Sequence, residues 1–278
     1  MINLARRFAP RILKRAASAY IVGIEPADAL SKAREIAAQG FGATIGYWDD
    51  GRCLPSEIAT KHLETLDQLE LSGLDCALSV KLPPLGDQHH LVAGIVERAR
   101  EIGVPVIFDS HAPESSDAIF RAMEQVGPEG VGCAIPGRWR RSLDDVERAI
   151  QLGIRVRVVK GEWPDPEEPD MDMCAGFLAI IDRLAGRATF VNVATHDPRV
   201  ASEAIRRLAA KGTPCEQELL FPLPMEPVVQ SARSAGIETR VYISFGSGWL
   251  PYSLSKFTKK PQILFWLMRD LLRGKRSK

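Results

Sequence analysis

Two cations raise the first chemical question. Arg157 and Lys160 belong to the run Arg155-Val156-Arg157-Val158-Val159-Lys160, which opens into Gly161-Glu162-Trp163-Pro164. Its valines read as a short buried strand. Charges on such a strand are costly to bury unless an opposite charge meets them. The pair therefore predicts either a ligand with negative charge or an internal salt bridge of Arg157 with Glu216, Glu218 or Asp109. Arginine forks onto flat anionic groups, and lysine meets a phosphate as a point charge.

The same pattern of an apolar run ending in polar residues recurs along the chain. The other ends read Tyr47-Trp48-Asp49-Asp50, Lys81-Leu82-Pro83-Pro84, Asp109-Ser110-His111, Pro136-Gly137-Arg138, Thr195-His196-Asp197, Glu216-Gln217-Glu218 and Phe245-Gly246-Ser247. Asp109, His111, the pair His89-His90 and His196-Asp197 offer a competing reading as ligands of a metal hydrolase. No HxH or HExxH spacing supports it. The expectation is a site without metal.

These ends must be brought together by the elements behind them. Candidate strands are Gly42 to Tyr47, Cys76 to Lys81, Val104 to Asp109, Gly130 to Ile135, Arg155 to Lys160, Thr189 to Ala194, Cys215 to Leu220 and Arg240 to Ser244. They recur about every 25–30 residues, the length of a strand-plus-helix unit. Helical patterns lie between them: Pro55 to Leu71 with Ile58, His62, Leu66 and Leu69 on one side, Asp87 to Gly103, Ser142 to Gly153, Met173 to Leu184, and Pro198 to Gly212 behind the cap Asp197. Two more begin at Pro251 and Pro261, and one over Ala27 to Gly40 precedes the first strand. Eight strands alternating with helices predict a (β/α)8 TIM-like barrel with an extra N-terminal helical segment over residues 1–26, all in one domain, 1–278. An open doubly wound sheet is the alternative, and no GxGxxG follows the first strand to favour it. In a barrel the strand ends converge on one mouth, where ligands bind.

Composition removes other classes. The net charge is +1, so no general field draws the chain to nucleic acid. The 5 cysteines are odd in number and scattered, which points to reduced thiols in a cytoplasmic protein. No apolar run suits a membrane span or secretory core. The basic start MINLARRFAPRILKRAASAY reads as a short helix, with an organelle transit peptide as the alternative. With the basic tail Arg273 to Lys278 it is compatible with peripheral contact at an anionic membrane.

Several segments, in order, resemble the proline dehydrogenase family. Arg157 to Trp163, R-V-V-K-G-E-W, is similar to its R-L-V-K-G-A-Y. Ala194 to Asp197, A-T-H-D, is similar to A-T-H-N. The segment R-V-Y-I-S-F-G…W-L-P-Y-S-L-S-K resembles R-V-Y-x-P-Y-G…P-Y-x-x-R-R. Ser79-Val80-Lys81, the third strand ending in Asp109, and Ala17 to Gly23 also resemble family segments. The resemblance implies an FAD-binding barrel that oxidises a ring C–N bond by hydride transfer to the flavin. It implies cofactor contacts at Ser110, Arg157, Lys160, Gly161, Glu162, Thr195 and His196. It places Lys81 and Asp109 as a charged pair beside the substrate, with Asp109 orienting Lys81 and assisting amine deprotonation. Arg157 would stabilise the reduced ring. Tyr242, Tyr252, Ser255 and Lys256 complete the substrate-binding set, and the implied electron acceptor is a quinone.

The departures bear on the substrate. The family holds the substrate carboxylate with two adjacent arginines, where this chain has Ser255 and Lys256. Loss of such a bidentate, desolvated pair costs on the order of 2–5 kcal/mol of binding. Pro136 and Glu218 stand where the family has glutamines, and Glu162 replaces an alanine. The expectation is an oxidoreductase of a cyclic secondary amine or imino acid other than free L-proline. The alternatives are a true L-proline dehydrogenase using Lys256 for the carboxylate, and a non-catalytic flavin-binding barrel.

Overall fold

A computed structural model of the chain describes residues 22–86, 88–109 and 112–248. Eight parallel strands close into one barrel in chain order: β1 Gly42–Tyr47, β2 Cys76–Lys81, β3 Val106–Asp109, β4 Val131–Pro136, β5 Arg155–Val159, β6 Val191–Ala194, β7 Cys215–Leu220 and β8 Thr239–Phe245. β1 pairs with β2 on one side and with β8 on the other. Gly42 lies opposite Arg240 and Tyr47 opposite Phe245, so no strand edge is left open. The barrel is the one the strand pattern predicts.

The helices are α1 Pro26–Ala37, α2 Pro55–Ser72, α3 His89–Glu101, α4 Ser116–Val126, α5 Ser142–Leu152, α6 Met173–Leu184, α7 Pro198–Ala209 and α8 Glu226–Ser234. From α2 onward each follows the strand before it. α1 precedes β1 and packs against β1, β8 and α2, so it occupies the place beside β8 in the outer ring. The expected N-terminal segment lies outside the described residues up to residue 21, as do the helices expected from Pro251 and Pro261.

Local chemistry explains most of the boundaries. Asp197 caps α7 by accepting from the amides of Arg199 and Val200, with Pro198 behind it, as its position predicts. Asp172 caps α6 in the same way. Ser142 is the first residue inside α5, and its hydroxyl donates to the Pro136 carbonyl, tying the helix start to the end of β4.

The main apolar core lies between sheet and helices. Outward-facing Ile45, Leu78, Phe108, Val156 and Val158 pack against Leu30, Leu66, Ile95, Phe120 and Phe177. A barrel interior is ordinarily filled by branched aliphatic side chains. Here the inward positions carry Thr44, Ser79, Arg157, Asn192, Glu216, Glu218, Arg240 and Tyr242, all but Tyr242 buried. They form two polar layers, and the upper one makes the site.

Candidate active site

The lower layer is an internal clamp. Arg240, at the start of β8, donates to Glu216 at 2.8 Å, to the Ala43 carbonyl at 2.8 Å and to both oxygens of Asp75 at 2.9 and 3.1 Å. Asn192 also donates to Glu216, at 2.6 Å. Glu216 therefore belongs to the opposite end of the barrel from the mouth. This corrects its expected place at a strand end: β7 runs on to Leu220, so Glu216, Gln217 and Glu218 lie within the strand.

The upper layer is built around Arg157. It sits in mid-strand and faces the barrel axis, not the rim. Its Nε and Nη2 donate to Glu218 at 2.8 and 2.9 Å, and its Nη1 donates to Asp109 at 2.8 Å. Arg157 is 3% exposed and Glu218 2%. Burial opposes the guanidinium charge, but Glu218 and Asp109 outweigh it and raise the Arg157 pKa. Thr44 fixes Glu218 with a further bond at 2.8 Å. Arg157 thus makes the salt bridge that stood as the alternative to a free anion-binding charge.

Asp109 is shared. One oxygen meets Arg157; the other accepts from the Tyr242 hydroxyl at 2.8 Å and pairs with Lys81 at 3.6 Å. Both oxygens are engaged, which supports an orienting role better than a proton-accepting one. Gly46 makes room for Tyr242, because an added Cβ there would collide with its hydroxyl. Burial, then Asp109, pushes the Tyr242 phenol well above 10. Lys81 donates to the Tyr47 carbonyl at 3.2 Å and approaches the Tyr242 hydroxyl at 3.5 Å. The Trp48 ring lies over its ammonium, 4.4 Å from centroid to Nζ. Burial pulls the Lys81 pKa down to about 8, against Asp109, which raises it. Two cations, Lys81 and Arg157, thus meet two carboxylates, Asp109 and Glu218.

Above this layer opens a cavity of about 420 Å³, within the range of small-molecule sites. Among the predicted site residues it brings together Asp109, Arg157, Lys160, Gly161, Glu162, Thr195, His196 and Tyr242. Lys81 does not line it; Trp48 does. Ser110, Tyr252, Ser255 and Lys256 lie outside the described residues. Apolar walls come from Val159, Leu219, Leu220 and Leu223, with Trp139 and Trp163 from the loops. Trp139 donates to the Trp163 carbonyl at 2.9 Å and Arg138 to the Glu162 carbonyl at 2.9 Å, which locks the two loops together. Gly161 has φ +89°, and a Cβ there would stand 2.8 Å from Pro136, so the chain passes close to β4 at this point.

Lys160 and His196 are already engaged. Lys160 pairs with Asp197 at 3.1 Å. The Nε2 of His196 accepts from the Leu220 amide at 2.8 Å, which leaves the proton on Nδ1, 3.0 Å from the Pro224 carbonyl it donates to. Burial lowers the His196 pKa, against the Pro224 bond. The ring is a neutral strap across the end of β7. Of the histidines of the metal reading, His111 lies outside the described residues, and His89 and His90 open α3 and line a separate cavity of about 310 Å³. Among the described residues no group of three or more His, Cys, Asp or Glu could hold a metal ion.

No family model matches the chain. The proline dehydrogenase of Deinococcus radiodurans is 23% identical over 297 residues, covering 99% of this chain and 92% of its own. Proline dehydrogenase 1 of Bacillus subtilis subsp. natto is 24% identical over 277 residues, covering 91% and 90%. Over nearly its whole length the chain is similar to proline dehydrogenases. Solved structures of proline utilization A share the fold of this chain. One from Bdellovibrio bacteriovorus, inactivated by N-propargylglycine, superposes with a TM-score of 0.79 at 15% identity, over 90% of this chain and 33% of its own. One from Bradyrhizobium japonicum gives 0.72 at 18% identity, over 89% and 31%. The chain spans about a third of the length of these structures.

Sequence reasoning found the polar mouth but not all of its walls. It quoted Trp48 and Trp163 without giving them roles, and it assigned nothing to Trp139, Ser244 or the leucines. Ser244 falls on the inward parity of β8 with Arg240 and Tyr242, and that alternation was the available signal.

Proposed function

We propose that this proline dehydrogenase-like oxidoreductase binds FAD in the barrel mouth and oxidises the C–N bond of a cyclic secondary amine or imino acid other than free L-proline. The observation that carries the reading is the cavity above the Arg157–Asp109–Glu218 layer, lined by eight residues that the resemblance assigns to the site. The residues present suit a flat, partly polar ring. The walls are apolar, and the buried Ser244 hydroxyl, which has no hydrogen-bond partner among the described residues, lines the space. Gly161 keeps the β5 loop clear of bulk. Lys160, Gly161, Thr195 and His196 would hold the cofactor at the rim, as would Ser110 outside the described residues.

When bound, the flavin supplies the hydride acceptor. The protein's part is position and field. Asp109 fixes Arg157 and Tyr242 by short bonds, so the face they offer to a ligand is preorganised. The apolar walls exclude water, which strengthens those charges. Quinone or another acceptor would take the electrons onward. Among the described residues no helix is long and apolar enough to cross a membrane.

The substrate reading has its own support. Lys81 meets the Tyr47 carbonyl, the Tyr242 hydroxyl and Asp109, and the Trp48 ring covers it. Arg157 is paired with two carboxylates and also donates to the Ser79 hydroxyl at 3.4 Å. Both cations are thus engaged within the protein, and the arginine pair expected for the substrate carboxylate is replaced by Ser255 and Lys256. A second reading, true L-proline dehydrogenase with Lys256 meeting the carboxylate, is favoured by the names of the relatives that match nearly the whole chain.

Anaerobic bleaching of the bound flavin by L-proline, L-proline esters and carboxylate-free cyclic amines separates the readings. Faster bleaching by esters or amines supports the proposal. Saturation by low-millimolar L-proline supports the second reading. A flavin that no amine reduces supports a non-catalytic barrel.

A further inference from the structure

We infer that Glu218 lowers the electron affinity of the flavin site by cancelling the positive charge of Arg157 in the cavity floor. The inference rests on the flavin reading above and adds a tuning residue to it.

Glu218 and Arg157 both line the cavity, and each is almost fully buried. The guanidinium's Nε–Nη2 edge is spent on Glu218, at 2.8 and 2.9 Å, and its Nη1 meets Asp109 at 2.8 Å and the Ser79 hydroxyl at 3.4 Å. Thr44 donates a further bond to the same carboxylate at 2.8 Å. Three donors thus converge on one carboxyl group. The buried layer therefore balances: Lys81 and Arg157 against Asp109 and Glu218. An amide at position 218, as the family resemblance has there, would leave one positive charge in excess.

The consequence follows from where charge appears. Reduction by a hydride adds two electrons and one proton to the flavin, and the ring gains negative charge. A cation in a water-excluded floor favours that state; a neutralised one does not. The side chain at position 218 acts through Arg157 and is a positioning and tuning residue. With the carboxylate present, the flavin is harder to reduce and gives its electrons up more readily.

The test is the midpoint potential of the bound flavin, measured by equilibration with a reference dye, in the wild type, E218Q and E218D holoproteins. Sulfite affinity gives a second readout. Sulfite donates its electron pair to form a bond with the flavin N5, which leaves an anionic adduct that neighbouring positive charge stabilises. E218Q is expected to shift the potential upward and to bind sulfite at least tenfold more tightly. E218D keeps the charge and is expected to stay near the wild type in both. Equal potentials and sulfite affinities in wild type and E218Q would overturn the inference while leaving the flavin reading intact. Equal shifts in E218Q and E218D would overturn it in favour of a packing role. An E218Q protein that folds but loses its flavin would overturn it in favour of a holding role. Wild-type protein that takes up no flavin would overturn the flavin reading itself, and this inference with it.

Discussion

Breaking the Arg157–Glu218 pair from one side should cost far more than replacing both partners. In the folded chain Arg157 makes two bonds to Glu218 and one to Asp109, all between 2.8 and 2.9 Å. A hydrogen bond to a charged group contributes roughly 1.5–3 kcal/mol. E218L deletes two of them and leaves a buried guanidinium with a single shared carboxylate, so the expected cost is about 3–5 kcal/mol. R157M leaves the buried Glu218 and the half-buried Asp109 without the guanidinium, at a similar cost of about 3–5 kcal/mol. The double variant R157M/E218L removes both charges and fills the space with apolar atoms, and should fall within about 2 kcal/mol of the wild type. For a chain of this size each kcal/mol moves Tm by about 2–4 °C, so the single variants should melt roughly 6–20 °C lower. Circular dichroism melts of all four proteins complete the cycle. Single variants that each lose less than about 1 kcal/mol, or a double variant whose loss equals their sum, would refute the buried-pair reasoning.

Trp48 should act as the cover of Lys81: W48A is expected to lower KM for L-proline with less change in kcat, and an unchanged KM would count against the cover. Lys81 should leave a signature at alkaline pH. Its folded pKa of about 8 lies below the ordinary 10.5, so between those values the unfolded chain holds a proton that the folded chain has lost. Wild-type stability relative to K81M should then rise from pH 8 to 10.5; a flat difference in urea melts would contradict this. His196 should act at the acid end. Its pKa is lowered from 6.5 by burial, so the unfolded chain takes up the proton first as pH falls. Stability should drop as pH falls below about 6.5, with a shallower slope in H196Q, which urea melts across that range would read.

The barrel was legible because buried parallel strands are short apolar runs at regular spacing. The edges were less so. β3 begins at Val106 and not Val104, because its ladder starts where Val106 meets Leu78 and Val131. α4 and α8 were not anticipated, although Ile119, Phe120, Ala122 and Met123 form a helical stripe. Arg157 shows the limit most clearly. Its sequence context announces a charge in need of a partner, but Asp109 is 48 residues away and Glu218 61. Only closure of the barrel, with the register of β3, β5 and β7 fixed, decides that these carboxylates reach it and that Glu216 goes to Arg240. The screening of Lys81 by Trp48 depends likewise on where a single loop residue lays its ring.

The most direct test of a flavin-holding barrel mouth is the cofactor content of the purified protein, before and after incubation with FAD. The account predicts flavin absorption bands, FAD released on denaturation at about one per chain, and loss of retained flavin when G161V pushes the β5 loop away from Pro136. A colourless protein that takes up no FAD, or one that retains FAD equally well with Gly161 replaced, would contradict it.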